Sequence, residues 1–164
     1  MISGKLKEHG VGVILTGGAC AALYALRTKA QSLDFVISEY HVEQMTTLME
    51  TLGFQPKELR SFTNTKAPFE IHFVPAPATV GDEVVTDFTT LKSREGVIAL
   101  LTPTDCVRHR LAAWYRWGDD EAFEQAVAVA KRHPVNLPAI ARWSEWEWST
   151  ERYEEFLAAV RPKD

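Results

Sequence analysis

Two adjacent glycines, Gly17 and Gly18, separate an apolar, β-branched run (VGVIL, 11–15) from a small-residue run at 19–27. A short β-branched run bounded by glycine is typical of a buried strand, and the apolar residues of the second run repeat at helical spacing. The pattern therefore predicts a strand, a double-glycine turn and a helix. Because the free N–H groups and dipole of a helix N-terminus attract negative charge, the turn is either a structural helix start or an anion site.

Two later segments predict strands that carry polar side chains on one face. In SLDFVIS, Ser32 and Asp34 alternate with an apolar stripe, and in FEIHFV, Glu70 and His72 alternate in the same way. Successive side chains of a strand point to opposite faces of a sheet, so each polar pair shares a face. Acidic side chains beside a phosphate-holding turn are one way to hold Mg²⁺ against a triphosphate, because Mg²⁺ prefers oxygen ligands.

The other segments complete a mixed α/β half, 1–101, and a helical half, 102–164. Thr102 and Pro103 predict the first helix of the second half, since Thr caps helices and Pro suits their first turn. The predicted fold is α/β (α+β), a small mixed sheet followed by a C-terminal helical subdomain. Besides the segments above, we expect helices at 3–9, 41–52, 103–116, 119–132, 136–143 and 150–161, strands at 54–59, 83–90 and 96–100, and a loop at 75–83.

Composition and charge exclude several classes of protein. The chain has 164 residues, a net charge of −4 and two cysteines, Cys20 and Cys106, outside any CxxC motif. An acidic chain argues against general DNA binding, which normally needs a basic face. The cysteine usage favours a reducing, cytoplasmic location over a disulfide framework, and the absence of a long apolar run predicts no membrane span.

The segment TGGACAALYALRTKAQSLDFVIS resembles the opening motif of the nucleotidyltransferase superfamily with the DNA polymerase β-type fold. That motif has a Gly-Gly or Gly-Ser turn that starts a helix, then a strand reading Asp-x-Asp before apolar residues, and a third acid on a later strand. FVPAPATVGDE and LLTPTDCVRHRLAAWYRWGDDEAFEQAVAVAK look like stretches of small bacterial proteins of this superfamily. The resemblance implies Mg²⁺-dependent transfer of a nucleoside monophosphate from an NTP to a hydroxyl of a protein, a small molecule or RNA. It also implies a role of the toxin–antitoxin or phage-defence kind.

The residues match this motif incompletely. Gly17 and Gly18 match the turn and would hold the phosphates. Asp34 matches the second acidic position, which places Ser32 at the first; in a rival alignment Asp34 is first and Val36 second. The third position falls on His72, with Glu70 two residues earlier on the same face.

The resemblance therefore implies a catalytic set of Ser32, Asp34, Glu70 and His72, in which Asp34 and Glu70 hold the metal. Neutral His is a poor Mg²⁺ ligand, and loss of one electrostatic element commonly costs about 10²–10³ in rate, so the site is expected to be degenerate. The alternative to an enzyme is an inactive nucleotide-binding or protein-interaction module.

Four cations are candidates for the phosphates: Arg27, Lys29, Arg108 and Arg110. Arg108 and Arg110 lie on the predicted helix after Thr102. Their competing interpretation is a solvated basic face, or pairing with acids such as Asp119.

Overall fold

The computed structural model of the chain describes residues 2–26, 30–94 and 96–161. The strands found in these ranges are β1 (Val13–Thr16), β2 (Ser32–Ile37), β3 (Gln55–Glu58), β4 (Ser61–Thr63), β5 (Glu70–Pro75), β6 (Thr79–Val80), β7 (Glu83–Val84), β8 (Phe88–Ser93) and β9 (Gly96–Leu101). The helices found there are α1 (Ile2–Glu8), α2 (Gly17–Ala25), α3 (Val42–Thr51), α4 (Pro103–Trp117), α5 (Asp120–Arg132), α6 (Leu137–Trp146) and α7 (Thr150–Val160).

Seven of these strands form one mixed sheet in the order β3-β4-β5-β2-β1-β9-β8. β2 is antiparallel to β1 and parallel to β5, whereas β1 is parallel to β9. The central strands supply the core, because Leu15, Phe35, Ile71 and Leu100 are each at most 3% exposed. This mixed sheet followed by helices confirms the predicted α/β (α+β) class.

The helical half packs onto the helix that follows the glycine turn. α2 contacts β1 and β2 on one side and α4 and α5 on the other. β9 ends at Leu101 and α4 begins at Pro103, so the seam lies where the sequence predicts it, although a division into two units stays a prediction. No helix within the described ranges combines the length and apolar character needed to cross a bilayer.

The start of α4 shows how local sequence fixes an element. The Thr102 hydroxyl accepts a hydrogen bond from the Asp105 N–H at 3.2 Å, which confirms the predicted cap. Pro103 occupies the first helical turn, where its missing N–H costs nothing. At the other end, Gly118 adopts φ +66° and its N–H bonds to the Trp114 carbonyl.

Four sequence predictions need correction. The strand predicted at 83–90 is interrupted, because β7 ends at Val84, residues 85–87 belong to no strand, and β8 begins at Phe88. The second helix begins at Gly17 instead of residue 19, and the first strand covers 13–16 instead of 11–15. The predicted loop at 75–83 contains a hairpin, because β6 and β7 pair around a turn at Gly81, which has φ +58°. Strands of two residues are too short to show a period, and Pro and Gly dominate that segment's sequence pattern.

Candidate functional site

The glycine corner, defined as Thr16, Gly17 and Gly18, joins the end of β1 to the start of α2. Gly17 has φ +64°, and a Cβ added to it would lie 2.5 Å from Asp34 Oδ2. Both the backbone angle and the contact therefore require glycine at this position. The Thr16 hydroxyl donates to the Asp34 carbonyl at 3.1 Å and makes no capping hydrogen bond to α2. Because Asp34 Oδ2 lies this close to Gly17, the Asp34 carboxylate faces the first turn of α2.

Strand pairing brings the predicted polar residues to one side of the sheet. Thr16 is paired with Asp34 between β1 and β2. Between β2 and β5, Asp34 is paired with His72 and Ser32 with Glu70. Alternation along each strand therefore places its two polar side chains on the same face. The parallel register of β2 and β5 then sets the two pairs beside each other.

The polar cluster, defined as Ser32, Asp34, Lys57, Glu70 and His72, is linked by direct hydrogen bonds. His72 Nδ1 lies 3.0 Å from Asp34 Oδ1, and His72 Nε2 lies 3.3 Å from Glu70 Oε2. The Ser32 hydroxyl donates to Asp34 Oδ1 at 3.1 Å. The structure thus brings together all four residues of the predicted catalytic set, with the His72 ring between the two carboxylates. Their catalytic roles stay a prediction.

Lys57 is a member of the cluster that the sequence did not reveal. Its Nζ lies 2.7 Å from Glu70 Oε1. The hydrogen bond with Lys57 is the main cause that lowers the pKa of Glu70, and the hydrogen bond with His72 is the second. The Lys57–Glu70 hydrogen bond also raises the pKa of Lys57. Lys57 lies on β3, whose four residues are all exposed, so no apolar alternation marked the face to which it belongs.

The helical half adds two polar groups next to the corner. Gln125 is only 2% exposed, and its Nε2 lies 3.4 Å from the position of a Cβ on Gly18. His109, on α4, lies within electrostatic range of Asp34, whose negative charge acts to raise the pKa of the ring. Burial lowers the pKa of His109 to about 4, and the positive charge of Arg110 acts in the same direction, so the ring is neutral at neutral pH. Sequence reasoning missed both as site residues, because only the packing of α4 and α5 on α2 brings them here.

The predicted phosphate-binding arginines make ion pairs elsewhere. Arg108 is bound by Asp105 at 3.0 Å and by Glu83, and its guanidinium lies 5.2 Å from the centre of the Trp143 ring. Arg110 is paired with Asp119 at 3.3 Å, the pairing that the sequence raised as the alternative.

Arg27 and Lys29 lie outside the described residues. A phosphate role for any of the four cations stays a prediction.

The donor set fits a two-magnesium centre poorly. Mg²⁺ requires near-octahedral oxygen coordination at about 2.0–2.1 Å, whereas His72 offers nitrogen and Ser32 a neutral hydroxyl. Throughout the described part of the chain, no group of three or more His, Cys, Asp or Glu side chains is arranged to hold a metal ion. The predicted metal role of Asp34 and Glu70 therefore finds no third acidic ligand.

A surface cavity of about 560 Å³ opens beside the cluster. Its lining includes Ser32, Glu70 and His72 of the cluster together with Thr63 and Phe69. A ligand at the polar cluster therefore has open space on the β5 side.

Comparison with known proteins identifies the fold. The chain matches no family model and no curated protein sequence. Its structure is similar to the solution structure of the antibiotic-resistance factor ANT(2'')-Ia, an aminoglycoside nucleotidyltransferase, with a TM-score of 0.56 and 12% identity over 95% of this chain and 89% of that one. It is also similar to the crystal structure of ANT(2'')-Ia in complex with adenylyl-2''-tobramycin, with a TM-score of 0.50 and 14% identity over 96% and 91% of the two chains. The protein therefore has a nucleotidyltransferase-like fold, as the motif at the glycine corner indicated.

Proposed function

We propose that this protein binds a nucleotide through its phosphates at the glycine corner. The observation that carries the proposal is the start of α2, where Gly17 adopts φ +64° and Thr16 leaves the first turn without a side-chain cap. Backbone N–H groups in the first turn of a helix are natural donors to phosphate oxygens, and the helix dipole adds to the attraction.

Gly18 supports this proposal independently of Gly17. Its φ lies outside the left-handed region, and a Cβ there would contact only the Gln125 side-chain amide, at 3.4 Å or more. The backbone therefore does not require glycine at this position. A missing side chain in the first helical turn does allow a phosphate to approach the backbone closely.

Nucleotidyl transfer is a second candidate, and one observation favours it. Asp34 Oδ2 faces Gly17, while the hydrogen bonds from Ser32 and His72 go to Oδ1. A carboxylate oxygen directed at the corner lies where it could act on a group held there. Because the cluster lacks a third acidic ligand, binding without transfer is the better supported of the two functions.

The first ligands to test are adenine nucleotides, since a solved structural neighbour contains an adenylylated product. ATP, ADP and AMP are titrated into the purified chain by calorimetry, with and without Mg²⁺, and thermal melts are recorded in parallel. We expect ATP to bind more tightly than AMP, because more phosphate oxygens reach the α2 N-terminus.

The decisive variants are Gly18→Asp and its uncharged match Gly18→Asn. Aspartate in the first turn of a helix favours folding through the dipole but repels phosphate. We expect Gly18→Asp to bind ATP at least tenfold more weakly than Gly18→Asn, a difference of about 1.4 kcal/mol. Equal affinities in the two variants, or no nucleotide binding by the parent chain, would refute the proposal.

Transfer is tested separately by incubating the chain with ATP labelled on the α-phosphate and candidate acceptors. Label that appears on an acceptor and is lost in Asp34→Asn would establish the enzyme. ATP binding without label would leave the binding function alone.

A further inference from the structure

We propose that Lys57 and His72 replace the divalent metal of this site, so that the polar cluster binds no divalent metal ion and nucleotide binding does not require one. The independence of nucleotide binding from Mg²⁺ rests on the proposed function. The exclusion of metal rests on the polar cluster alone.

The first step concerns Glu70. Its Oε1 lies 2.7 Å from the Lys57 ammonium and its Oε2 lies 3.3 Å from His72 Nε2. Both oxygens are therefore in contact with protein side chains, and the Lys57 ammonium already compensates the charge of the carboxylate. A metal ion at Glu70 would have to displace one donor and then lie beside the Lys57 ammonium.

The second step concerns the space between the two acids. A metal ion that bridges two carboxylates at about 2.1 Å from each needs their oxygens within about 4.2 Å of each other. Here the His72 ring lies between Asp34 Oδ1 and Glu70 Oε2, with one ring nitrogen directed at each. The ring would have to leave before a cation could bridge the pair.

The third step concerns Asp34. Ser32 and His72 both bind Oδ1, which leaves Oδ2 as the oxygen directed at the glycine corner. One monodentate carboxylate is a weak ligand set for Mg²⁺, which dehydrates reluctantly. The cluster thus offers a metal one oxygen, Asp34 Oδ2, to which neither Ser32 nor His72 is bound.

The consequence is that nucleotide binding does not depend on magnesium. A protein that binds its nucleotide through metal-bridging carboxylates needs Mg²⁺, whereas this cluster gains nothing from it. We expect the chain to bind ATP in EDTA with an affinity that equals or exceeds its affinity in excess Mg²⁺.

The exclusion of metal is tested without nucleotide, by Mn²⁺ binding followed by electron paramagnetic resonance and by thermal melts with and without Mn²⁺. The parent chain should bind no Mn²⁺ at this site. His72→Asp, which returns a carboxylate to the position paired with Asp34, should bind Mn²⁺ and melt at a higher temperature when it is present. The matched control is His72→Asn, which has the same shape as Asp but no charge and should show neither effect.

The outcomes separate the two proposals. Stoichiometric Mn²⁺ binding by the parent chain that Asp34→Asn abolishes would overturn the inference, as would a folded His72→Asp chain that binds no Mn²⁺. A parent chain that binds ATP only with Mg²⁺ would also overturn it. If no nucleotide binds in either buffer but the Mn²⁺ results hold, the proposed function fails and the exclusion of metal stands.

Discussion

Replacing Gly17 by alanine tests the contact on which the site's geometry depends. An L-residue in the left-handed region costs about 1–2 kcal/mol, and Gly17 has φ +64°. The new Cβ would also lie 2.5 Å from Asp34 Oδ2, on a short side chain that Ser32 and His72 already hold through Oδ1. Forcing extra volume into a fixed contact costs typically about 1–3 kcal/mol. The expected loss in the free energy of unfolding is therefore about 2–5 kcal/mol.

Gly118 provides a matched control, because it has φ +66° and nothing within 4 Å of its added Cβ. Gly118→Ala should lose only the backbone contribution, about 1–2 kcal/mol. Urea unfolding measures both variants, and the difference between them isolates the contact with Asp34. In thermal melts, each kcal/mol lowers Tm by roughly 2–4 °C for a chain of this size.

A double-mutant cycle then assigns the difference to a single side chain. Asp34→Ala removes the carboxylate that the new methyl group would meet, so Gly17→Ala should cost less in that background by about 1 kcal/mol or more. If Gly17→Ala and Gly118→Ala lose the same free energy, or if the cycle shows no coupling, Asp34 does not face the corner. The geometry behind both proposals would then be wrong.

Three further predictions test the packing around the site. Tyr24→Phe should lose about 1 kcal/mol in urea unfolding, because the hydroxyl donates to the buried Leu101 carbonyl at 2.7 Å. For His109, burial lowers the folded-state pKa from 6.5 to about 4, so between these pH values the unfolded chain binds a proton that the folded chain does not. The free energy of unfolding should therefore fall from pH 6.5 toward pH 4 by at most about 3 kcal/mol. His109→Gln should flatten that slope in urea unfolding measured against pH. Arg108→Ala should lose about 1.5–3 kcal/mol in the same assay because it removes a buried guanidinium with its ion pairs to Asp105 and Glu83, whereas Ala at the exposed Arg142 should stay within about 0.5 kcal/mol of the parent; equal losses would contradict the structural role of the Arg108 ion pairs.

The part of the site that comes from β2 and β5 could be predicted because period-two alternation is local. Ser32 and Asp34 share a face in any extended strand, and so do Glu70 and His72. The glycine pair also predicted a helix start, although the helix includes Gly17 itself. What the sequence could not supply was the register, which sets Asp34 beside His72.

The part that could not be predicted comes from elements far away in the chain. Lys57 lies on a fully exposed edge strand, and Gln125 and His109 reach the site only through the docking of α5 and α4 on α2. No local pattern distinguishes a buried Gln from an exposed one in an amphipathic helix. For the same reason the sequence left Arg108 and Arg110 open between phosphate binding and ion pairing, and the structure shows ion pairs for both.

The reason for two glycines at the corner is that each meets a different requirement. Gly17 is required by its own backbone angle and by Asp34, so any side chain there damages the fold. Gly18 has neither constraint, and alanine at a helical position is favoured over glycine by about 0.5–1 kcal/mol. The only contact that would oppose this gain is that of the new Cβ with the Gln125 amide, at 3.4 Å.

Gly18→Ala should therefore fold with a stability within about 1 kcal/mol of the parent chain while its affinity for ATP falls. Urea unfolding and calorimetry measure the two quantities on the same sample. A large loss of stability would make Gly18 a structural residue, because packing alone would then explain both glycines. Unchanged ATP affinity in a well-folded Gly18→Ala chain would place the phosphates away from the corner. Unchanged stability together with weaker ATP binding is the one outcome consistent with a glycine whose missing side chain leaves room for the ligand.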